Sequence, residues 1–175
     1  MFSLSYTSTY DPYHTVFRYL VLLSSAEDMT LPYRTARAAD FFLCFPWYLQ
    51  DVKAPRKVPG FAKDRNALVK MYPPNSYDQV PNERLIFERM EVIQAAAVSA
   101  LAGANMIDAD ILKSQKVRLL PSFLKGRLFE PVRVFKEKNS DLVYFLATKF
   151  PQMEVHGPNG IFARTRLGEF SYDNV

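Results

Sequence analysis

The stretch Ala38–Leu49, AADFFLCFPWYL, constrains the fold of this chain more than any other. Phe41, Phe42, Leu43, Cys44 and Phe45 follow one another without a polar residue, and Pro46 stops any helix that carries them. Burying one large side chain of this kind contributes about 1.5–3 kcal/mol. The rings must therefore be wrapped in a core or offered to a partner, the two places where aromatic side chains dominate the energetics. With 175 residues there is enough chain for a substantial core. A hydrophobic share of 49% against 23% charged residues is that of a folded protein rather than a disordered one.

The elements on either side can be read from spacing and caps. Asp11 and Pro12 form a helix start, a side-chain cap followed by a residue that has no N–H to leave unpaired. Tyr13, Val16, Phe17, Leu20 and Val21 then recur at helical spacing, which predicts a helix to about residue 24 with His14 and Arg18 on the opposite face. Asp28 or Thr30 is placed to cap a second helix over residues 33–45, and the Ala38/Ala39 pair lets it approach the first closely. These two helices form a hairpin over residues 10–49. Within it, Phe42, Leu43 and Cys44 are expected to point inward and Phe41, Trp47 and Tyr48 outward.

Residues 50–81 read as a Pro-containing basic connector with a short helix over 64–71 and an irregular stretch over 77–81. Asn82 caps the clearest helix of the chain, over 82–102, with Gly103 as its C-cap. The second half of that helix, VIQAAAVSALAG, is apolar nearly all round and is expected to be central and buried. Asp108 is placed to cap a helix over 109–116, and Ser140–Phe150 forms another. Residues 152–156 and 161–167 flank Gly157-Pro158-Asn159-Gly160 as two short strands of a hairpin. Residues 1–9 read as a lead-in arm and 169–175 as a tail. The expected fold is mainly α with a small β-hairpin, an α+β, winged-helix-like helical domain. One domain spans 1–175, divided into the helical hairpin, the connector and a winged-helix-like part over 82–168.

The charge pattern limits the function classes. The net charge of +4 is mildly basic, compatible with nucleic acid or an acidic protein as partner and demanding neither. Positive residues gather at 53–70 and again at 117–138, and each block has a plain reading as solvated surface. Read as contacts to nucleic acid, Lys125, Arg127, Arg164 and Arg166 are the candidates, yet no helix carries the Arg/Asn/Gln face of a base reader. Tyr13, His14 and Arg18, with Phe41, Trp47 and Tyr48, are the candidates for binding a protein partner; the plain reading of His14 is a partly buried, hydrogen-bonded side chain.

Catalytic constellations are not legible. Cys44 lies between apolar neighbours, which makes a thiol inert. His14 and His156 have no metal-ligand spacing, and six Gly make a phosphate loop improbable. No catalytic residue, cofactor or metal site is therefore expected, and the chain is read as a non-enzyme. A single Cys excludes an intramolecular disulfide and suits a reducing, cytoplasmic setting. The first residues lack the basic and apolar regions of a signal peptide. The apolar runs fall short of the roughly 20 residues that cross a bilayer.

YDPYHTVFRYLVLL (10–23), RAADFFLCFPWYL (37–49) and the helix ending in ALAGANMIDAD together resemble the middle components of bacterial ABC-three-component systems, which are similar to Lamassu-type anti-phage defence. The positions that carry the resemblance are Tyr10, Asp11, Pro12, Tyr13, His14, Phe17, Arg18, Asp40, Phe41, Phe45 and Pro46. It implies a non-catalytic, winged-helix-like adaptor between an SMC-like or ABC ATPase and an effector, often a nuclease, encoded beside it. The other reading is a standalone winged-helix DNA-binding regulator.

Overall fold

A computed structural model describes residues 6–76 and 82–168. The expectations for residues 1–5, for the stretch 77–81 and for the tail 169–175 lie outside the described residues.

The molecule is mainly helical. After the short α1 (Tyr6–Thr9), α2 (Pro12–Leu23) begins where the cap predicts: the Asp11 carboxylate accepts from the backbone N–H groups of Tyr13, at 2.8 Å, and His14, at 3.0 Å. The backbone amide of His14, followed by the other contacts of this cap, holds the Asp11 carboxyl below its ordinary range. α3 (Tyr33–Cys44) ends just before Pro46, as the sequence requires. Its start differs. Asp28 adopts a left-handed backbone and Thr30 lies in a strand, so neither caps the helix. The first amide of α3, that of Tyr33, instead donates to the carbonyl of Gln115 at 2.8 Å, a tertiary contact that local spacing does not reveal.

A short 3-10 turn (Pro46–Asp51) leads through the connector to α4 (Phe61–Met71). Asn82 caps α5 (Glu83–Gly103) through the amide of Arg84. Gly103 is the last helical residue rather than the cap. Asn105 takes the left-handed position that ends the helix, with φ 54°, while the Met106 amide returns to the carbonyl of Leu101. Asp108 does cap the next helix, but α6 (Ala109–Leu112) is only one turn long.

The β structure is not where the turn signal points. β1 (Thr30–Pro32) pairs antiparallel with β2 (Lys116–Arg118), Leu31 opposite Val117, joining two parts of the chain distant in sequence. The hairpin expected over 152–167 does not form. The turn at 157–160 exists, with the Gly160 amide on the carbonyl of Gly157, but only the bridge Glu154–Gly160 joins its flanks. Residues 161–164 are helical (α9, Ile161–Arg164). Two isolated short strands bury too little to persist, whereas here Met153, Ile161, Thr165 and Leu167 are all buried. A winged-helix arrangement with its wing at this place is thus replaced by a loop and a helical turn.

α7 (Phe129–Lys138) and α8 (Ser140–Tyr144) complete the bundle. The helix expected to continue to Phe150 widens into a π turn (Phe145–Lys149) ahead of Pro151, which has no N–H to donate.

A contiguous hydrophobic cluster runs from α2 through α3 and α5 to the π turn. Phe41 and Phe42 lie at its centre: Phe42 meets Phe150 edge-on at 5.5 Å, and Phe41 meets Phe87 of α5 at 6.0 Å. α2 packs on both α3 and α5, so the predicted two-helix hairpin becomes part of a three-helix layer. Among the described residues, no helix is long and apolar enough to cross a membrane.

Candidate partner interface

Among the described residues, the interior holds one cluster of buried charge. Arg18 of α2 is 2% exposed and Asp40 of α3 is fully buried. Arg18 Nε donates to Asp40 Oδ1 at 2.5 Å, and Nη2 to Asp40 Oδ2 at 3.3 Å and to the hydroxyl of Thr15 at 2.9 Å. Nη1 donates to the carbonyl of Ser8, and Nη2 also lies 3.4 Å from the carbonyl of Thr9, which ties the chain entering α2 to the helix. Gln94, fully buried on α5, donates to Asp40 Oδ2 at 2.8 Å and to the carbonyl of Arg37, and accepts from Arg37 Nε at 2.8 Å. Arg37 in turn lies over the ring of Phe87, 4.5 Å from its centroid. Burial works against the charge on Arg18, but the facing Asp40 carboxylate outweighs it and the guanidinium pKa is raised. Three helices are thus fastened at one polar point.

Arg18 was expected beside His14 on a partner-facing surface, and this is corrected: one turn further along α2, Arg18 meets Asp40 and turns inward. His14 stays exposed near Asp11, its Nδ1 3.3 Å from the carboxylate. Tyr13 is 86% exposed, an isolated large apolar surface.

Phe41 requires the same correction. It is fully buried, stacked on Tyr48 and tilted against Phe45, because the short turn after Pro46 folds residues 46–51 back over the end of α3. Trp47 and Tyr48, expected to point outward, are half-buried. Cys44 is buried, and desolvation pushes its thiol up to about 12. The expected inward side of Ala38–Leu49, namely Phe42, Leu43 and Cys44, is inward in the structure.

The basic candidates divide. Lys125, which ends a 3-10 turn (Pro121–Lys125), and Arg127 lie exposed just before α7. Arg164 is committed to the fold: its guanidinium donates to the carbonyl and side-chain oxygen of Asn159, at 2.9 and 3.0 Å, and to the carbonyls of Lys53 and Ala54. Arg166 is exposed but stands 3.4 Å from Asp51 and 3.9 Å from Glu83. The wing that was to present both arginines does not exist.

The strongest surface feature was missed. The apolar second half of α5 is buried on one side only, through Gln94, Ala97, Val98 and Leu101. Val92, Ala95, Ala96, Ser99 and Ala100 are exposed along the other side, Val92 at 74%. Spacing alone could have separated the two faces, but the absence of charge across the segment hid the division. Among the described residues, no group of three or more His, Cys, Asp or Glu side chains is arranged to hold a metal ion.

No curated protein and no solved structure matches the chain. A family model does, over residues 4–173, nearly the whole chain and including α2, α3 and α5 with their buried Arg18–Asp40–Gln94 cluster. The chain belongs to this family, described as ABC-three component (ABC-3C) system Middle Component 5.

Proposed function

We propose that this chain is a non-catalytic adaptor subunit that bridges an SMC-like or ABC ATPase and an effector, a nuclease in the leading reading, within an anti-phage defence complex. The observation that carries the proposal is membership in the middle-component family across residues 4–173, which implies an adaptor role in a multi-component system. The surface supports it. A helix face made of Val92, Ala95, Ala96, Ser99 and Ala100 has little to gain from water, and its small side chains let a partner helix approach closely. Tyr13, with Trp47 and Tyr48 half-covered, supplies aromatic side chains of the kind enriched at interfaces.

Co-expression with the neighbouring genes of its operon tests the reading. The wild-type chain is expected to co-purify with both the ATPase and the effector. Val92→Glu is expected to release one of them while the isolated variant keeps its helical circular dichroism, since Val92 is not part of the core. A chain that elutes alone and monodisperse from that co-expression overturns the adaptor assignment.

A further inference from the structure

The connector and the loop that replaces the wing enclose a cleft of about 460 Å³. One wall is residues 54–57, the other residues 152–154 with Asn159 and Arg164. Its size is that of a ligand-binding groove rather than of a packing defect. The walls are fixed to one another. Arg164 binds the carbonyls of Lys53 and Ala54 on one side and Asn159 on the other, and the Lys53 amide donates to the Arg164 carbonyl at 2.8 Å. The loop tip is set by its glycines. Gly157 has φ 82°, and a Cβ on Gly160 would lie 2.7 Å from the backbone of His156. From the α3 side, Arg34 lies over the Phe162 ring and meets His156 at 3.0 Å. A groove held this way needs little ordering on binding.

Of its cations, Arg164 is engaged by backbone carbonyls. Some cations outside the cleft are paired, Lys149 with Asp64 and Arg133 with two glutamates, while others such as Lys125 and Arg127 are exposed. Arg56 and Lys57 line the cleft, are exposed, and meet no carboxylate among the described residues. Buried Pro55 and Met153 add apolar surface to the lining. Two free cations beside apolar side chains match a peptide in which carboxylates and apolar residues are interleaved. The lining also contains the carboxylate of Glu154, which disfavours a continuous run of negative charge such as a phosphate backbone and calls for acidic side chains spaced by apolar ones. We infer that this cleft binds an acidic–apolar peptide segment of a protein partner, with Arg56 and Lys57 pairing its carboxylates. The inference rests on the adaptor reading only for the origin of that segment.

Fluorescence anisotropy with a labelled peptide of alternating Asp and Leu residues tests it on the isolated full chain. The wild type is expected to bind in low salt. Arg56→Glu with Lys57→Glu is expected to weaken binding at least tenfold with unchanged circular dichroism. Lys125→Glu with Arg127→Glu, the same change of charge on another exposed loop, is expected to retain it. Hydrogen exchange is expected to slow at residues 53–57 and 152–160 when the peptide is added. No binding by the wild type overturns the inference, and so does equal weakening by both charge reversals, which would mark general attraction to a basic protein. Tighter binding of a duplex oligonucleotide than of the peptide, lost in the Arg56/Lys57 variant, would replace the peptide with nucleic acid and equally overturn it. None of these outcomes depends on co-purification with operon partners, so the adaptor reading stands or falls separately.

Discussion

Arg18 and Arg133 each grip carboxylates through their guanidinium groups, one in the centre of the protein and one on its surface. Arg18 is sealed between α2 and α3, and its partner Asp40 is held in turn by Gln94 from α5. Arg133 reaches Glu130 and Glu137 along the exposed face of α7, within a single helix. The surface ladder is local, screened by water and salt, and decorates a helix that is held by Val132 and its apolar neighbours. The interior pair is non-local and desolvated. It adds little net stability compared with well-packed apolar groups, but losing either partner leaves a charge with nowhere to go. The same chemistry thus fixes the relative placement of three helices in one setting and almost nothing in the other.

The largest expected effect comes from breaking the interior pair. Asp40→Ala should cost about 3–5 kcal/mol by stranding the Arg18 charge, read as a shift in the urea-denaturation midpoint. Arg18→Met combined with Asp40→Leu should be more stable than either single variant, because no lone charge remains. If the double variant loses as much as the sum of the two, the sites are not coupled and the contrast fails. Next in size, Gln94→Ala should cost about 1–3 kcal/mol by leaving Asp40 and Arg37 with unmet hydrogen bonds. Differential scanning calorimetry would register it, and an unchanged transition would mean that Gln94 is a passenger.

Alkali probes the same interior more gently. The Cys44 thiol has an ordinary pKa of 9.0 and titrates at about 12 when buried. Between those values unfolding releases its proton, so stability is intact below pH 9 and falls as pH rises, by up to about 1.4 kcal/mol per pH unit. Tyr19, also buried and with its pKa raised by desolvation, adds to the loss above pH 10.0. Cys44→Ala should flatten the slope between pH 9 and 10 in chemical denaturation, and a slope that does not change would exclude the thiol as its source. The smallest effect belongs to the surface ladder. Arg133→Ala should leave the thermal midpoint within error at physiological salt, and a clear drop would show that exposed pairs matter here after all.

The legible part of the fold was what neighbours in sequence decide. Asp11, Asn82 and Asp108 act as helix caps because each needs only its own following amides. Pro46 ends α3 for an equally local reason. The missed features all depend on distant chain. β1 and β2 are three residues each, too short for an alternation to register, and exist because residues 30–32 and 116–118 meet. The wing failed because its turn residues were correct but its flanks had a better use, burying Met153 and Ile161. Among the candidate site residues, Tyr13 and His14 are exposed, although spacing put Tyr13 in the apolar stripe and the plain reading of His14 was a partly buried side chain, whereas Arg18 and Phe41 turned inward. Their spacing on a helix says which residues share a face and leaves open which face is covered.

By itself the sequence determined a mainly helical protein with an aromatic centre around residues 38–49 and a likeness to the middle components. Hydrophobic periodicity, caps and prolines act over one or two turns, and nothing beyond the chain is needed to read them. Only the tertiary structure decided that Arg18, Asp40 and Gln94 share one buried network, that one side of α5 is left uncovered, and that Arg56 and Lys57 line a cleft closed by Arg164. Desolvation is a property of what surrounds a side chain, and what surrounds these comes from segments dozens of residues away.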